Sequence, residues 1–321
     1  MFRKNNLIAY GTVLSRRLGY SLGINNVTPK TCSYSCVYCQ LGQTTKRHVL
    51  RGAFYTPKKI FNQVEKKLKE SKLREDHIDY LTFVSNGEPT LDRNIGVEIK
   101  LLKSLGKKIA VISNASLLWK EKTRNDLYDA DLISLKIDTV DEELWRETNR
   151  PHDSLRLPLI LQGIIEFSQD YKGTLLTESM LTEKTAIMVN EIKRTADFIA
   201  AINPHKSYLS IPTRSPTEKW VRPPSELDLC HAFMIYMKRD INVEYLLASE
   251  GTDFSYSDDV EDDLLSITSV HPMREDAIQE YLKRAHQSWD IIKTLLREGK
   301  LIETKYNSNK FFIRNFETMR K

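Results

Sequence analysis

Six apolar runs recur along the first two thirds of the chain, and between them the hydrophobic period changes from strand-like to helical. The runs Ser21–Val27, Tyr80–Val84, Ile109–Ser113, Leu132–Ile137, Leu175–Leu181 and Tyr208–Ile211 are short and bounded, the pattern of buried strands. Helical spacing fills Pro57–Lys72, Val97–Leu105, Leu155–Tyr171 and Ala186–Ile202. Pro57 and Asp141 suit helix starts, and Gly106 and Gly173 suit helix ends. Strands that alternate with helices pair in parallel, because each crossover returns the chain to the same end of the sheet. Six such units predict an α/β fold, a partial (β/α)6 barrel of TIM type. Its chemistry belongs at the C-terminal strand ends, where the βα loops gather.

The alternation lapses after about residue 212. Pro212, Pro216, Pro223 and Pro224 mark an irregular connection to a helix over Glu226–Arg239 and a short strand over Val243–Leu247. An acidic run, Asp258–Asp263, leads into helices over Arg274–Arg284 and Ser288–Glu298. Strands over Leu301–Tyr306 and Lys310–Arg314 follow, joined at Asn307-Ser308-Asn309. Helices followed by such a hairpin resemble a winged helix. The expected organisation is a barrel over residues 1–250 and a winged-helix-like accessory domain over 258–321, which suits a chain of 321 residues.

With 40% hydrophobic and 28% charged residues, the composition is that of an ordinary globular protein. No stretch approaches the roughly 20 apolar residues that cross a bilayer, and the N-terminus carries no signal-peptide core. The expectation is a cytoplasmic protein with no membrane partner. Three of its four cysteines fall within eight residues, Cys32-Ser-Tyr-Ser-Cys36-Val-Tyr-Cys39. In a reducing compartment such clustering points to a metal or redox site.

Iron–sulfur cubanes are normally held by four thiolates, and this loop offers three. Cys230, in an amphipathic helical stretch, reads as a small core residue. A cubane with three protein ligands keeps one iron open, as catalytic metal sites do. An amino acid such as methionine can chelate that iron through its amine and carboxylate. A zinc knot of Cys32, Cys36, Cys39 and His48 is the other arrangement the spacing allows. Tyr38 is placed either to stack on an adenine or simply to pack the loop.

The net charge of +5 is unevenly spread. Residues 1–64 hold ten Lys/Arg and no Asp or Glu, a bias expected beside an anion. A thiolate cluster with a cofactor carboxylate would account for it, and so would RNA.

CxxxCx(aromatic)C is the hallmark of the radical S-adenosylmethionine (SAM) superfamily, which this sequence resembles. Ser15-Arg-Arg-Leu-Gly-Tyr-Ser-Leu-Gly-Ile, Asn86-Gly-Glu-Pro-Thr-Leu91, Asn149-Arg-Pro-His152 and Val221-Arg-Pro-Pro-Ser-Glu226 extend the likeness to a prokaryotic subfamily related to the tRNA wyosine-base-forming enzymes. The resemblance, over roughly residues 8–230, implies a [4Fe-4S] cluster on Cys32, Cys36 and Cys39, with SAM as the second cofactor. It also implies a low-potential electron donor such as flavodoxin or ferredoxin. Gly87, Glu88 and Pro89 stand where the superfamily meets the SAM amino group, and Asn114 where relatives place a polar group near methionine or ribose. Lys136 and Asp138 end the fourth strand. A lysine in an apolar strand is costly to bury unless paired, so Lys136 suits the SAM carboxylate, an ion pair with Asp138 or Glu178, or a Schiff base. Glu178 and Arg214 also sit at strand ends, facing substrate or forming ion pairs. The wyosine-base-forming enzymes carry further cysteines upstream for a second cluster; this chain has none before Cys32, so their pyruvate substrate is not transferred.

The function implied is an oxygen-sensitive enzyme that reductively cleaves SAM to a 5′-deoxyadenosyl radical and modifies a substrate, RNA first, a protein or small metabolite next. A metal- or redox-sensing winged-helix regulator without catalysis is the reading from another class. For duplex binding the C-terminal segment is weakly charged: residues 258–321 hold eleven Lys/Arg against twelve Asp/Glu, a balance of −1. Substrate docking or dimerisation suits it better.

Overall fold

The computed structural model describes residues 8–15, 17–44, 46–72, 77–247, 254, 256, 259–306 and 308–315. Arg3, Lys4 and Arg16 of the basic segment, Asp258 of the acidic run and Asn307 of the hairpin turn lie outside the described residues.

The chain opens with a hairpin, β1 (Ala9–Ser15) and β2 (Gly19–Ile24), followed by α1 (Pro57–Lys72), β3 (Tyr80–Phe83) and α2 (Ile95–Lys103). Next come β4 (Lys108–Ser113), α3 (Glu121–Leu127), β5 (Leu132–Lys136), α4 (Glu142–Asn149) and α5 (Leu157–Asp170). β6 (Thr174–Met180), α6 (Glu183–Ala186), α7 (Val189–Ile202), β7 (Lys206–Ser210), α8 (Glu226–Met237) and β8 (Val243–Leu246) complete one sheet in the order β1 to β8. β2 through β8 run parallel, and only the β1–β2 pair is antiparallel.

The six predicted strands are β2 to β7, in sequence order and mutually parallel. The sheet runs one strand further at each side. The helix–strand pair after residue 212 is a further unit of the same sheet, since β8 pairs in parallel with β7. β1 was not visible as an apolar run because Gly11 (φ 68°) and a bulge between Tyr10 and Val13 break its alternation.

Strands β3, β4 and β5 are buried nearly end to end, and their helices press Ile60, Val64, Ile99, Leu102, Ile160 and Ile164 onto them. Asp141 caps α4 by accepting from Leu144 N at 2.9 Å. Cys230 departs from expectation. It is exposed on α8, because the inward stripe of that helix is Leu229, Ala232 and Tyr236, at i, i+3 and i+7.

The remaining chain is α9 (Val260–Thr268), β9 (Met273–Arg274), α10 (Glu275–Arg284), α11 (Asp290–Arg297), β10 (Leu301–Tyr306) and β11 (Asn309–Arg314). Its small antiparallel sheet has the order β10-β11-β9, and its own core gathers Leu264, Ile267, Ile278, Tyr281, Ile292, Leu295 and Phe312. The predicted helix pair and hairpin are α10, α11, β10 and β11. The acidic run proved to be the first turn of α9, where Glu261, Asp262 and Asp263 face the positive end of the helix dipole. Among the described residues no helix is long and apolar enough to cross a membrane.

Candidate active site

All three clustered cysteines are free thiols on the loop that follows β2. Their loop is fixed by backbone hydrogen bonds to its surroundings. Ser35 N donates to Asn149 O (3.1 Å), Val37 N to Thr148 O (2.9 Å), and His48 N to Cys32 O (2.9 Å). Gly87 makes the approach of the β3 loop possible: a Cβ there would sit 1.9 Å from Thr31 O, and Glu88 N donates to that same carbonyl at 2.9 Å.

A cavity of about 280 Å³ opens at the C-terminal strand ends. Cys32, Cys36, Cys39, Tyr38, Gly87, Glu88, Asn114 and Lys136 all line it, as do Glu178 and Arg214. The sequence-derived candidates therefore converge on one space large enough to admit a small ligand. Pro89 and Asp138 stand behind the wall. Pro89 accepts from Asn26 Nδ2 at 3.2 Å, while Asp138 borders a neighbouring void of only about 40 Å³. Asp138 accepts from Tyr38 Oη, from Asn149 Nδ2 (2.6 Å) and from Met180 N (2.9 Å), so it holds the Tyr38 ring in place.

Glu88 is fully enclosed, and burial raises its pKa despite four donors: Thr90 N (3.0 Å), Thr90 Oγ1 (2.6 Å), Ser113 Oγ (2.7 Å) and Asn114 N (2.7 Å). Three of these bonds fall on Oε1, leaving Oε2 with the Asn114 amide and the cavity. Asn114 spans two walls. Its Nδ2 donates to Ser33 Oγ (3.0 Å) and reaches Cys32 Sγ at 3.6 Å, and its Oδ1 accepts from Ser116 N (3.0 Å).

On the opposite wall Glu178 is shared by Arg17, Lys136 (3.2 Å) and Ser210 Oγ (2.9 Å). Burial alone would raise its pKa, but the cations Lys136 and Arg17 outweigh it and hold the carboxyl well below the usual range. Burial would likewise lower Lys136; Glu178 and then Asp138 (3.7 Å) outweigh it and raise the pKa. The structure places Lys136 in ion pairs with Glu178 and Asp138, one of the roles its sequence position allows. Its ammonium also lies 4.9 Å above the Tyr38 ring. Arg17 and Asn149 were quoted in motifs without a role; only the folded chain brings Arg17 to Glu178 and Asn149 to Cys36.

Do these residues fit a cluster? Asn149 Nδ2 lies 3.5 Å from Cys36 Sγ, as Asn114 Nδ2 lies near Cys32, so amide donors already face two of the sulfurs. Burial raises both of these thiols, Cys36 to about 12, so they ionise only with a compensating positive charge such as bound metal. Among the described residues no three of His, Cys, Asp and Glu converge on a point suited to a single ion. A cubane presents a separate iron to each thiolate and needs no such convergence. His48, the fourth ligand of the zinc alternative, serves Cys32 through its backbone. The donor set fits a cluster.

Three cations of the acid-free segment bind backbone carbonyls around the site. Lys30 Nζ donates to Leu41 O and Gly42 O (2.7 Å), Arg47 to Pro151 O (2.8 Å), and Arg51 to Thr90 O (2.8 Å) and Asp92 O (2.9 Å). They tie loop carbonyls together, and Arg51 also pairs with Asp126 (2.7 Å).

An eight-stranded, mostly parallel sheet with a CxxxCxxC loop at its C-terminal edge defines a radical SAM protein, and residues 26–157 match the Radical SAM superfamily. Its cofactors are accordingly a [4Fe-4S] cluster and SAM. Within that class the chain belongs to the UPF0026 family: it is 45% identical to the UPF0026 protein of Methanocaldococcus jannaschii over 97% of each chain. Among solved structures, a radical SAM methyltransferase from Sphaerobacter thermophilus aligns with a TM-score of 0.55 at 11% identity, over 72% of this chain and 68% of that one. TYW1 with a bound lysine–pyruvate adduct aligns with a TM-score of 0.51 at 15% identity, over 67% and 72%. At these identities the likeness is one of fold.

Proposed function

We propose that this protein is a radical SAM enzyme acting on a small molecule or a chain end that enters the strand-end cavity. Cys32, Cys36 and Cys39 would hold the cluster, which would supply, from an external reductant, the electron for cleaving SAM to methionine and a 5′-deoxyadenosyl radical able to take hydrogen from the substrate. The observation that carries this reading is the convergence of the three thiols, Glu88, Asn114 and Lys136 on one cavity.

Each residue has a task that its surroundings favour. Glu88 Oε2 and the Asn114 side chain are suited to the SAM amino group and methionine end, beside the sulfurs. Tyr38, pinned by Asp138, offers a fixed ring edge to the nucleoside. Lys136 and Arg17, already balanced by Glu178, line the wall where substrate would lie.

An RNA substrate has less support than the charge count suggests, because Lys30, Arg47 and Arg51 are engaged within the protein. The DNA-binding sensor is disfavoured for a similar reason. Several cations of the winged-helix-like unit face carboxylates: Arg274 pairs with Asp276, Lys293 with Asp290 (2.9 Å), Lys300 with Glu261 (2.6 Å) and Lys310 with Glu275 (3.2 Å). With a net balance of −1 over residues 258–321, the unit is poorly suited to phosphates.

Anaerobic reconstitution tests the proposal. It expects about four irons per chain and release of 5′-deoxyadenosine from SAM on reduction by dithionite, both abolished in Cys36→Ala. Stoichiometric zinc, or a reduced cluster that leaves SAM intact, refutes it.

A further inference from the structure

We infer that Glu98 is a positioning residue: it holds a proton that it shares with Asp92, and through Asp92 it fixes the turn that carries Glu88 to the cavity. The positioning role rests on the proposed function, in which Glu88 meets the SAM amino group. The shared proton does not depend on it.

Helix α2 turns Ile95, Ile99 and Leu102 inward, and Glu98 lies in the same buried stripe, where an apolar residue belongs. Asp92 stands just before the helix, with Ile95 N donating to Asp92 O (3.4 Å) and Glu98 N to Asn94 O (3.0 Å). The two carboxyl groups come within hydrogen-bonding reach of each other there. Both residues are fully buried, at 0% exposure. Asp92 Oδ1 accepts from Asn94 N at 2.9 Å, but Asp92 Oδ2 and both oxygens of Glu98 receive no hydrogen bond from any described residue. Buried acceptors that face one another without a donor are costly, and one proton placed between them removes the cost.

The surrounding groups do not stand in for that proton. Arg51 could balance one anion, but its Nε donates to Thr90 O (2.8 Å), its Nη2 to Asp92 O (2.9 Å), and its Nη1 pairs with Asp126 of α3 (2.7 Å). Arg93 points to solvent. Asn26 stands beside Glu98, and its Nδ2 donates to Pro89 O (3.2 Å). Burial first, and then the Asp92 carboxylate, push Glu98 up to about 9, and burial raises Asp92 as well. At pH 7 Glu98 is therefore the acid and donates to Asp92.

One turn of chain carries this bond to the site. Glu88 and Asp92 flank the short helical turn Pro89–Leu91: Glu88 Oε1 accepts from Thr90 N (3.0 Å), and Asp92 N donates to Pro89 O (3.1 Å). Asp92 tied to α2 fixes the tail of the turn, and with it the placement of Glu88 at its head.

The test uses the reconstituted holoprotein at pH 7 and pH 10, with SAM as probe. Glu98→Gln keeps a donor to Asp92 that does not titrate, whereas Glu98→Leu fills the space without one. Difference infrared spectra of wild type against E98Q should show the C=O stretch of a protonated carboxyl at pH 7 and its loss at pH 10. At pH 7, SAM affinity should fall tenfold in E98L and stay within twofold of wild type in E98Q. From pH 7 to pH 10 it should decline about tenfold more in wild type than in E98Q. Urea unfolding gives the sign independently. An unfolded glutamate loses its proton above about pH 4.3, while the fold keeps it to about 9, so wild type should lose stability relative to E98Q as pH rises through that window and no further beyond it. A missing infrared band at pH 7, or parallel pH profiles in wild type and E98Q, overturns the shared proton. SAM affinity in E98L equal to that in E98Q overturns the positioning role, and if E98L fails to fold, equal affinities of wild type and E98Q at pH 10 overturn it. A wild type that binds no SAM would instead defeat the proposed function, and the infrared and urea results would still decide the proton.

Discussion

Glu178 shows how a charge survives inside this barrel. It accepts from Arg17, Lys136 and Ser210, and each partner enters from a different strand or its flank. Because its folded pKa lies below the unfolded value of about 4.3, its stabilisation is complete above that pH and fades as pH falls below it. Lys136 gives the opposite limb. Its raised pKa stabilises the fold below about pH 10.4, and that contribution fades as pH rises through the folded value. Glu178→Gln should therefore cost about 3 kcal/mol in urea unfolding at pH 7, since two buried cations lose their carboxylate, and should flatten the acid limb of the stability profile. An unchanged acid limb would mean Glu178 is not the group titrating there. Gly87→Ala acts through sterics rather than charge. Its new Cβ would meet backbone, Thr31 O at 1.9 Å, so the cysteine loop must shift. Iron retained after reconstitution should fall to less than half of wild type; full loading would show the loop can yield.

At the scale of elements, the strands with uninterrupted apolar runs could be read directly, and so could α1, whose bounds match the prediction. β1 and α9 could not. A bulge disguised β1, and the carboxylates favoured in a first helical turn left α9 visible only as an acidic run. The site divides in the same way. Residues at strand ends were legible because parallel topology fixes which end is functional. The Arg17–Glu178 and Asn149–Cys36 contacts were not, since they join segments far apart in the chain. Helix α4 offers a test of local conformation against pairing. It ends at Arg150 in the left-handed region (φ 45°), and Arg150 also pairs with the partly exposed Glu218. The backbone penalty for a non-glycine residue is about 1–2 kcal/mol, while such a pair contributes about 0–1 kcal/mol. Arg150→Gly should leave the thermal midpoint unchanged or slightly raised. A fall of more than about 5 °C, roughly 2 kcal/mol at this size, would show the Glu218 pair to be worth more than surface pairs usually are.

On the scale of the whole molecule, the winged-helix-like unit is joined to the barrel at several separated points. Phe254 pairs with Val13 on β1, and Asn86 Nδ2, at the end of β3, donates to Ser269 O at 2.6 Å. Arg214 on the cavity wall contacts His271 (2.9 Å), and Tyr306 Oη donates to Pro212 O (3.1 Å). These contacts run from β1, one edge of the sheet, across the loops that follow β3 and β7. Packed there, the unit backs the cavity indirectly, through the contact of His271 with the lining residue Arg214. The contact that tests this most sharply is Lys67–Asp263 at 2.5 Å, with only 4% of the Asp263 side chain exposed. A carboxylate so enclosed loses about 3 kcal/mol when the ammonium facing it is removed. If the two units fold as one body, Lys67→Met lowers the midpoint of a single calorimetric transition whose van't Hoff and calorimetric enthalpies still agree. If the C-terminal unit is merely tethered, the same substitution splits the transition in two, with the smaller peak moving alone and the barrel's midpoint fixed. The second outcome would detach the C-terminal unit from the barrel and leave Arg214 without His271 to position it.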